Sequence, residues 1–283
     1  MEDLLPLLER IKNLRSRAAE EMPTLCRIGL ECIEAMKAAK VQQTTVVEHK
    51  GRTYTLLRTG AGSRIRIARP VRRDLFIWGR SEINTLVREV CDGRWNPERA
   101  RDLERLIYTV QQAVAMYLDL FEPSAARKVV GTFFEAIIAC ALNRVSGLSV
   151  GSGTVRIPDV KQSILIDLGL TSGSKVVLLA ATKTSTRERL SQPFVQKRIL
   201  EQAFRHPPKS ILIVIGDVQR AGLSNVQHTF TAGQFLLYWK YITPLDGVYY
   251  IDVPPQAETQ EFEGRLKRLW QLFDTDLESL VAE

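Results

Sequence analysis

The segment KVVLLAATKTSTRER, residues 175–189, decides how the chain is interpreted. Its first half is a near-continuous apolar run, which is typical of a strand buried on both faces of a sheet. The run ends at Lys183, and Arg187, Glu188 and Arg189 follow it closely. A solvated loop is the simplest explanation of such a charge cluster. The alternative is a functional site at the edge of a sheet, and the rest of the sequence decides between the two.

The composition is that of an ordinary globular protein. The chain has 283 residues, 45% hydrophobic and 25% charged, with a formal net charge of +7. This length accommodates one large domain or two small ones. The sequence shows no apolar run near the roughly 20 residues of a membrane span. The N-terminal stretch MEDLLPLLERIKNL carries acids at once and lacks the layout of a signal peptide, so we expect a cytoplasmic protein.

Two classes of site are disfavoured by what the sequence lacks. The four cysteines form no CxxC pair and the chain has three histidines, so a structural zinc site is not expected. The sequence also lacks a GxxxxGK[ST] loop, which disfavours nucleotide hydrolysis.

The predicted secondary structure changes in character near Pro123. Residues 1–122 read as a mostly helical part with one β-hairpin, TTVVEHKGRTYTLLRTG. Residues 123–283 begin with a long helix and continue as short apolar runs that alternate with helices. This half is predicted to be an α/β unit, with a central sheet covered by helices. We therefore place a domain boundary between 122 and 123.

The basic charge is concentrated in the stretch SRIRIARPVRRD. A dense arginine cluster attracts an anionic polymer, of which DNA is the commonest. The other explanation is a solvated basic edge that keeps a strand from pairing with neighbours. The arginines concerned are Arg64, Arg66, Arg69, Arg72 and Arg73.

A carboxylate and an ammonium are expected to meet at one edge of the sheet. Asp159 follows Pro158 at the end of a β-like run, and the next long buried strand ends at Lys183. If these strands are neighbours, their ends bring the two side chains together. Carboxylate oxygens suit Mg²⁺, and a bound metal neutralises charge on a phosphodiester under attack. These are the components of a metal-dependent nuclease.

The pattern resembles the PD-(D/E)XK nuclease superfamily. The matching residues are Glu135 in GTFFEAII, Pro158 and Asp159, and Lys183 in AATK. Ala181 occupies the usual position of the second acid. The resemblance implies an α/β fold with a PD-(D/E)XK core, a mixed central sheet flanked by helices. It also implies Mg²⁺ as the cofactor.

The missing acid narrows the resemblance to one branch of type II restriction endonucleases, the EcoRII-like enzymes that cut CCGG, CCNGG or CCWGG sites. That branch takes its second carboxylate from the helix after the lysine, which points to Glu201 here. The resemblance makes Asp159 and Glu201 the metal ligands, Lys183 the residue that assists the attacking water, and Glu135 a supporting residue.

The branch also reads its CC:GG pairs with a short charged motif after the lysine, which KTSTRERL matches through Arg187, Glu188 and Arg189. Arginine can donate two hydrogen bonds to guanine, and a carboxylate accepts one from cytosine. The simpler explanation is that the three residues form the charged first turn of a helix, where exposed ion pairs contribute little to stability.

Three residues keep competing explanations. Asp167 lies in an apolar run between Asp159 and Lys183 and is a rival metal ligand, although a strand-to-turn role is simpler. Glu135 sits among phenylalanines and isoleucines, either at a metal site or at the rim of an apolar helix face. Trp78 is a candidate for stacking on a flipped base, and core packing is the commoner role.

The resemblance implies a prokaryotic, cytoplasmic type II restriction endonuclease. It would bind double-stranded DNA as a homodimer or higher oligomer, because a palindromic site mirrors a two-fold axis. A cognate DNA methyltransferase is expected in the same system, and no membrane is involved. Two alternatives stay open: a repair or recombination nuclease without sequence specificity, and a DNA-binding module whose catalytic core is inactive because of Ala181.

Overall fold

A computed structural model of the chain describes residues 7, 9–10, 17–60, 65–158, 160–187 and 189–282. The main helices and strands of the N-terminal part lie within those described residues. In chain order these are α1 Met22–Ala38, β1 Gln42–His49, β2 Arg52–Thr59, β3 Arg66–Ile67, β4 Val71–Arg72, α2 Arg80–Cys91 and α3 Ala100–Phe121.

The remaining elements form an α/β unit. They are α4 Pro123–Ser146, β5 Ser149–Arg156, β6 Ser163–Ser172, β7 Lys175–Lys183, α5 Ser191–Ala203, β8 Lys209–Gly216, β9 Val218–Ala221, β10 Asn225–His228, α6 Ala232–Tyr241, β11 Gly247–Asp252, β12 Lys267–Arg268, α7 Leu269–Gln271 and α8 Leu277–Val281. A π-helical turn, Leu272–Asp276, joins α7 to α8.

The central sheet is mixed, as the sequence predicts. Its strand order is β12-β11-β8-β7-β6-β5. The pairs β7–β8, β8–β11 and β11–β12 are parallel, whereas β5–β6 and β6–β7 are antiparallel. The predicted mixed α/β fold class is therefore confirmed.

Both faces of the central sheet are buried at β8. In β8, Ile211 and Ile213 belong to one hydrophobic cluster, while Leu212 and Val214 belong to another. Side chains alternate between the faces of a strand, so each face of β8 packs in its own core. Helix α4 covers the first face, and α5 and α6 contribute to the core on the second. This two-sided burial explains why the strands read as continuous apolar runs.

The predicted hairpin of the N-terminal part is confirmed as β1 and β2, which pair antiparallel from Gln42 to His49. The turn consists of Lys50 and Gly51, both with positive φ, at 51° and 77°. Two positive φ angles give a backbone twist that suits a two-residue hairpin turn.

Helix α4 is the main core helix. Its segment Lys128–Ser146 is long and apolar enough to span a membrane by length and composition, with a mean hydropathy of 1.4, but 72% of it is buried inside the protein. The expectation that no run reaches this length is therefore corrected. The segment packs between α3 and the sheet, which accounts for its apolar side chains.

The predicted boundary at 122 and 123 coincides with the end of α3 and the start of α4. It does not divide the core, however. One hydrophobic cluster extends from Ala18 to Leu277 and includes residues of α1, α3, α4 and the sheet. The buried side chains of the two parts therefore pack as one unit.

Strands β3 and β4 also pair with β2, which completes a four-stranded N-terminal sheet among the described residues. A buried carboxylate fastens this N-terminal sheet to the central sheet. Asp252, at the end of β11, is 3% exposed. It accepts hydrogen bonds from the Tyr54 hydroxyl at 2.9 Å and from Arg72 Nη1 at 2.8 Å, with Arg52 Nη1 at 3.7 Å. Burial raises the pKa of the Asp252 carboxyl above its ordinary value, and the guanidinium groups act against that shift.

Replacing Asp252 by alanine is expected to lower the free energy of unfolding by about 3–5 kcal/mol, because Arg72 and Arg52 lose a buried counter-ion. Asp74 is the matched control, since it also pairs with Arg72, at 2.8 Å, but is 61% exposed. Asp74→Ala is expected to cost no more than about 1 kcal/mol. Urea denaturation of the two variants measures the difference, and equal losses would contradict this role for Asp252.

Candidate active site

Polar residues gather where three parallel strands end. Lys183 ends β7, Asp217 directly follows β8, and Asp252 ends β11. Because these strands are parallel neighbours, their carboxyl ends lie along one edge of the sheet. A cleft of about 520 Å³ opens beside this edge, between Thr184, Ser185 and Gly216 on one side and the N-terminal part on the other.

Lys183 is paired with Asp167. Lys183 Nζ donates to Asp167 Oδ2 at 2.5 Å, and the Thr182 N–H donates to the same oxygen at 2.9 Å. The two side chains are 10% and 18% exposed, so the pair is largely shielded from water. Asp167, the alternative metal ligand of the sequence analysis, is thus the carboxylate that contacts Lys183.

The strand register explains this meeting. The last ladder pair of β6 and β7 joins Leu168 to Ala180, so Asp167 lies across from Ala181, one residue further on. The aspartate therefore faces the position at which the second acid is missing. A small cavity of about 20 Å³ is lined by Asp167, Ala181 and Gln196 of α5. The helix thus presents an amide to this site.

Glu201 does not belong to the site, and the prediction that it completes the metal centre is corrected. Its carboxylate accepts hydrogen bonds from Thr243 Oγ1 at 2.9 Å. It lines a cleft with Lys175 and Lys209, at the starts of β7 and β8. The two ends of β7 are separated by about 26 Å at roughly 3.3 Å per residue. Helix α5 runs back along the strands, and its length carries Glu201 away from Lys183.

Glu135 lies in the middle of α4, half-buried, with Oε2 shielded from solvent. Alternation along β7 puts Lys183 on the same face as Ala181, which packs against the core on the α5 and α6 side. Helix α4 covers the opposite face. Glu135 and Lys183 thus belong to opposite sides of the sheet, and this arrangement does not add support to a role for Glu135 at the site. That role stays a prediction.

Three predicted residues, Asp159, Glu188 and Arg64, lie outside the described residues. Pro158, which precedes Asp159, is part of the β5–β6 turn, where the Ile157 N–H donates to the Gln162 carbonyl at 3.1 Å. Because β6 and β7 are antiparallel, this turn is at the end of the sheet that carries Lys183.

A buried aspartate holds the segment after Lys183. Asp217 is fully buried, and its carboxylate accepts from Ser185 Oγ at 2.9 Å and from both the N–H and the hydroxyl of Thr186 at 2.7 Å. Tyr250 of β11 donates to it as well, at 2.9 Å. This one carboxylate fixes the connection between Lys183 and the arginines that follow.

Arg187 and Arg189 are both exposed, as base-reading residues must be. Arg187 Nη1 donates to Gln219 Oε1 of β9 at 3.1 Å. The Arg189 N–H donates to the Thr186 carbonyl at 3.2 Å, so the segment turns tightly after its buried anchor. The two guanidinium groups are thus presented to solvent from a constrained backbone.

Two arginines of the basic stretch are bound within the protein. Arg69 makes a two-pronged pair with Asp119, at 2.8 and 2.9 Å, and Arg72 is held by Asp74 and Asp252. Their charge is already matched by carboxylates. The prediction that these two side chains contact phosphates therefore has no support, and the arginines join parts of the fold instead.

Arg66 has a similar structural role, because its Nη1 donates to the Leu120 carbonyl at the end of α3 at 3.0 Å. A cation at a helix C-terminus is favourable to the helix dipole. Arg73 is exposed, and only its backbone N–H is engaged, by the Thr53 carbonyl at 2.9 Å, in the contacts described. Among the arginines of this stretch that the structure describes, Arg73 remains a phosphate-contact candidate, and Arg64 lies outside the described residues.

Trp78 packs on Phe76, with ring centroids 4.5 Å apart, and lies against the main hydrophobic cluster. This geometry is that of core packing. The cysteines are free thiols, and Cys26, Cys32 and Cys140 are buried. Burial raises the pKa of the Cys91 thiol to about 11 and that of Cys32 to about 12, so both are protonated at neutral pH.

The carboxylate oxygens of Asp167 are suitable ligands for a hard cation. No cluster of three or more histidine, cysteine or carboxylate side chains is found in the part of the chain that the structure describes. Mg²⁺ does not require one, since it keeps several waters and is usually held by one or two carboxylates and substrate phosphates. Asp167 Oδ2 takes the two N–H donors described above, which leaves Oδ1 for a cation.

Sequence reasoning missed Asp217 and the partner role of Asp167. The signal for Asp217 is its position in SILIVIGDV, where an acid directly follows a buried parallel strand. Side chains at the carboxyl ends of parallel strands are where open α/β sheets bind ligands. The signal for Asp167 is an acid within an otherwise apolar β run, which is costly to bury without a cation nearby.

The fold is similar to that of known restriction endonucleases. The Type IIP restriction endonuclease Kpn2I matches with a TM-score of 0.71 and 25% sequence identity, over 93% of this chain and 97% of that chain. A complex of the restriction endonuclease PspGI with substrate DNA matches at a TM-score of 0.41 and 15% identity, over 71% of this chain and 92% of that one. The PspGI match is too distant to add to the interpretation.

No protein-family model and no curated protein matches the sequence. The likeness to Kpn2I, over nearly the full length of both chains, supports a nuclease of the type II restriction endonuclease class.

Replacing Asp217 by alanine is expected to lower the free energy of unfolding by at least about 2–3 kcal/mol, because several buried donors lose their acceptor. Ser185→Ala removes one of the same hydrogen bonds and is expected to cost about 0.5–1.5 kcal/mol. Urea denaturation compares the two. A smaller loss for Asp217→Ala than for Ser185→Ala would show that this carboxylate does not hold the segment.

Proposed function

We propose that the chain is a type II restriction endonuclease. It hydrolyses phosphodiester bonds in double-stranded DNA, with Mg²⁺, at a palindromic site that contains CC…GG pairs. The observation that carries this proposal is the continuity from Lys183 to Arg187. A shielded lysine–carboxylate pair is followed by a segment anchored on Asp217, and that segment ends in exposed arginines.

Asp167 is the described carboxylate best suited to hold Mg²⁺, and Asp159 is proposed as its companion from the adjoining turn. A bound Mg²⁺ supplies charge neutralisation for the phosphodiester and a more acidic water. Lys183 Nζ holds the attacking water and donates to the phosphate oxygen as negative charge develops. Asp167 keeps the ammonium at that position through its Oδ2 contact.

Recognition is proposed for Arg187, Glu188 and Arg189. Each arginine can donate to guanine O6 and N7, and the glutamate can accept from cytosine N4, in the major groove. A good bidentate contact of this kind discriminates between bases by about 1–3 kcal/mol. The Asp217 anchor links this reading to the position of Lys183, so that binding to the correct bases aligns the catalytic lysine.

A palindromic site is matched by a homodimer, in which each subunit cuts one strand. A higher oligomer obeys the same two-fold relation. The enzyme would act in the cytoplasm of a prokaryote, with a methyltransferase that protects the host's own copies of the site. The likeness to Kpn2I, a Type IIP restriction endonuclease, supports the type II class in this proposal.

Incubation of the purified protein with unmethylated phage DNA and Mg²⁺ is expected to give discrete fragments. Sequenced ends should share a CC…GG core, and EDTA should abolish cutting because the metal is required. A smear dependent on DNA form would instead indicate a nuclease without sequence specificity. Intact DNA that is nevertheless bound, even with Mn²⁺, would indicate an inactive core and trace the loss to Ala181.

Lys183→Ala and Asp167→Asn are each expected to reduce the cleavage rate by at least about 100-fold, because the site loses its ammonium or the negative charge of its metal-binding carboxylate. Binding to the same duplex should persist. Lys175→Ala and Glu201→Gln are the matched controls, because this lysine and this acid line the cleft at the far end of β7. Both controls should cleave within a few-fold of wild type. Loss of cleavage in Glu201→Gln would contradict the placement of the site at Asp167.

A further inference from the structure

The hairpin of β9 and β10 lies beside the proposed recognition segment. The strands Val218–Ala221 and Asn225–His228 pair antiparallel, and Gly222, with φ of +70°, opens the turn between them. The hairpin follows Asp217 directly, so the anchor of the recognition segment is also the base of the hairpin. Gln219 Oε1 accepts the hydrogen bond from Arg187 Nη1 at 3.1 Å.

One face of this two-stranded ribbon packs on the protein. Residues two apart along a strand, and directly opposed residues of the pair, share a face. On the first face Val226 is buried, at 5% exposure, and Arg220 Nη1 donates to the Ile67 carbonyl at 2.8 Å. The register assigns the following residues to this face: Val218, Arg220, Val226 and His228.

The other face is open and lined by amides. The register places Gln219 opposite Gln227, and Ala221 opposite Asn225. Asn225 and Gln227 are exposed, and Gln219 and Ala221 are half-buried. Residues 218–228 contain no acidic side chain. The face that carries the contact to Arg187 is therefore polar, uncharged and free of carboxylates that would repel phosphate.

This set of side chains matches one kind of base pair. Glutamine and asparagine make two hydrogen bonds to adenine N6 and N7, and alanine contacts the thymine methyl group. The major groove admits a two-stranded ribbon, and ribbon proteins read bases with one strand face. A solvated sheet face would also be polar, but the hydrogen bond from Arg187 to Gln219 places this face beside the proposed guanine-reading residue.

We propose that the β9–β10 ribbon is a second base-reading element, which recognises A·T pairs flanking the CC…GG core in the major groove. Gln219 and Gln227 donate to and accept from adenine, and the contact between Gln219 and Arg187 fixes the flanking reader against the core reader. The inference rests on the proposed function and extends it from the core to the neighbouring pairs.

The test uses the fragment ends released by the full-length protein from unmethylated bacterial genomic DNA with Mg²⁺. Ends are aligned on the CC…GG core, and base frequencies are counted at the adjoining pairs. Wild type is expected to show A·T enrichment at a flanking pair. Gln219→Ala and Gln227→Ala, made singly and together, should reduce that enrichment by about tenfold, the discrimination of one bidentate contact, and should keep the core.

Gln202→Ala is the control, an exposed glutamine on α5 away from the ribbon, and it should retain the wild-type pattern. Retained cutting at CC…GG shows that the ribbon variants are folded and active. Wild-type ends with a CC…GG core but no A·T enrichment, or enrichment that survives both substitutions, would overturn the ribbon proposal alone. Ends without a CC…GG core would overturn the proposed function itself.

Discussion

The buried carboxylate of Asp217 is the constraint on which the functional edge of the sheet depends. It follows β8, receives the hydrogen bonds of Ser185 and Thr186 after β7, and is reached by Tyr250 from β11. Three parallel strand ends thus converge on one charge. A buried charge is tolerated only when it is fully hydrogen-bonded, so the loop after Lys183 has little freedom to adopt another shape.

This constraint has a functional consequence, because the loop joins the lysine–carboxylate pair to the exposed arginines. Displacing Arg187 strains a backbone that Asp217 holds at Thr186, one residue earlier, and Lys183 lies at the other end of the same segment. Asp252 performs a related task at the next strand end, where it fixes the N-terminal sheet against the central one. The cleft beside the strand ends therefore has two walls that are joined through buried ion pairs and hydrogen bonds.

The sequence predicts the frame of this edge well. Apolar runs identify β7 and β8, and the abrupt change to charge identifies Lys183 as a strand end. Side-chain partners are harder, because they depend on register and on helix phase. The β6–β7 register places Asp167 beside Lys183, and no local sequence pattern specifies that register. Glu201 lies far from Lys183 because α5 extends toward the opposite end of the strands. Arg69 and Arg72 read as a DNA-binding patch, yet each finds a carboxylate distant in sequence.

The central claim is that the metal centre lies at Asp167 and Lys183. The anomalous difference map of crystals soaked in Mn²⁺ tests it most directly, since Mn²⁺ accepts the same carboxylate ligands as Mg²⁺. The account predicts a peak against the Asp167 carboxylate, beside Lys183 and the β5–β6 turn. A peak against Glu201 in the cleft at the far end of β7, with none at Asp167, would contradict it.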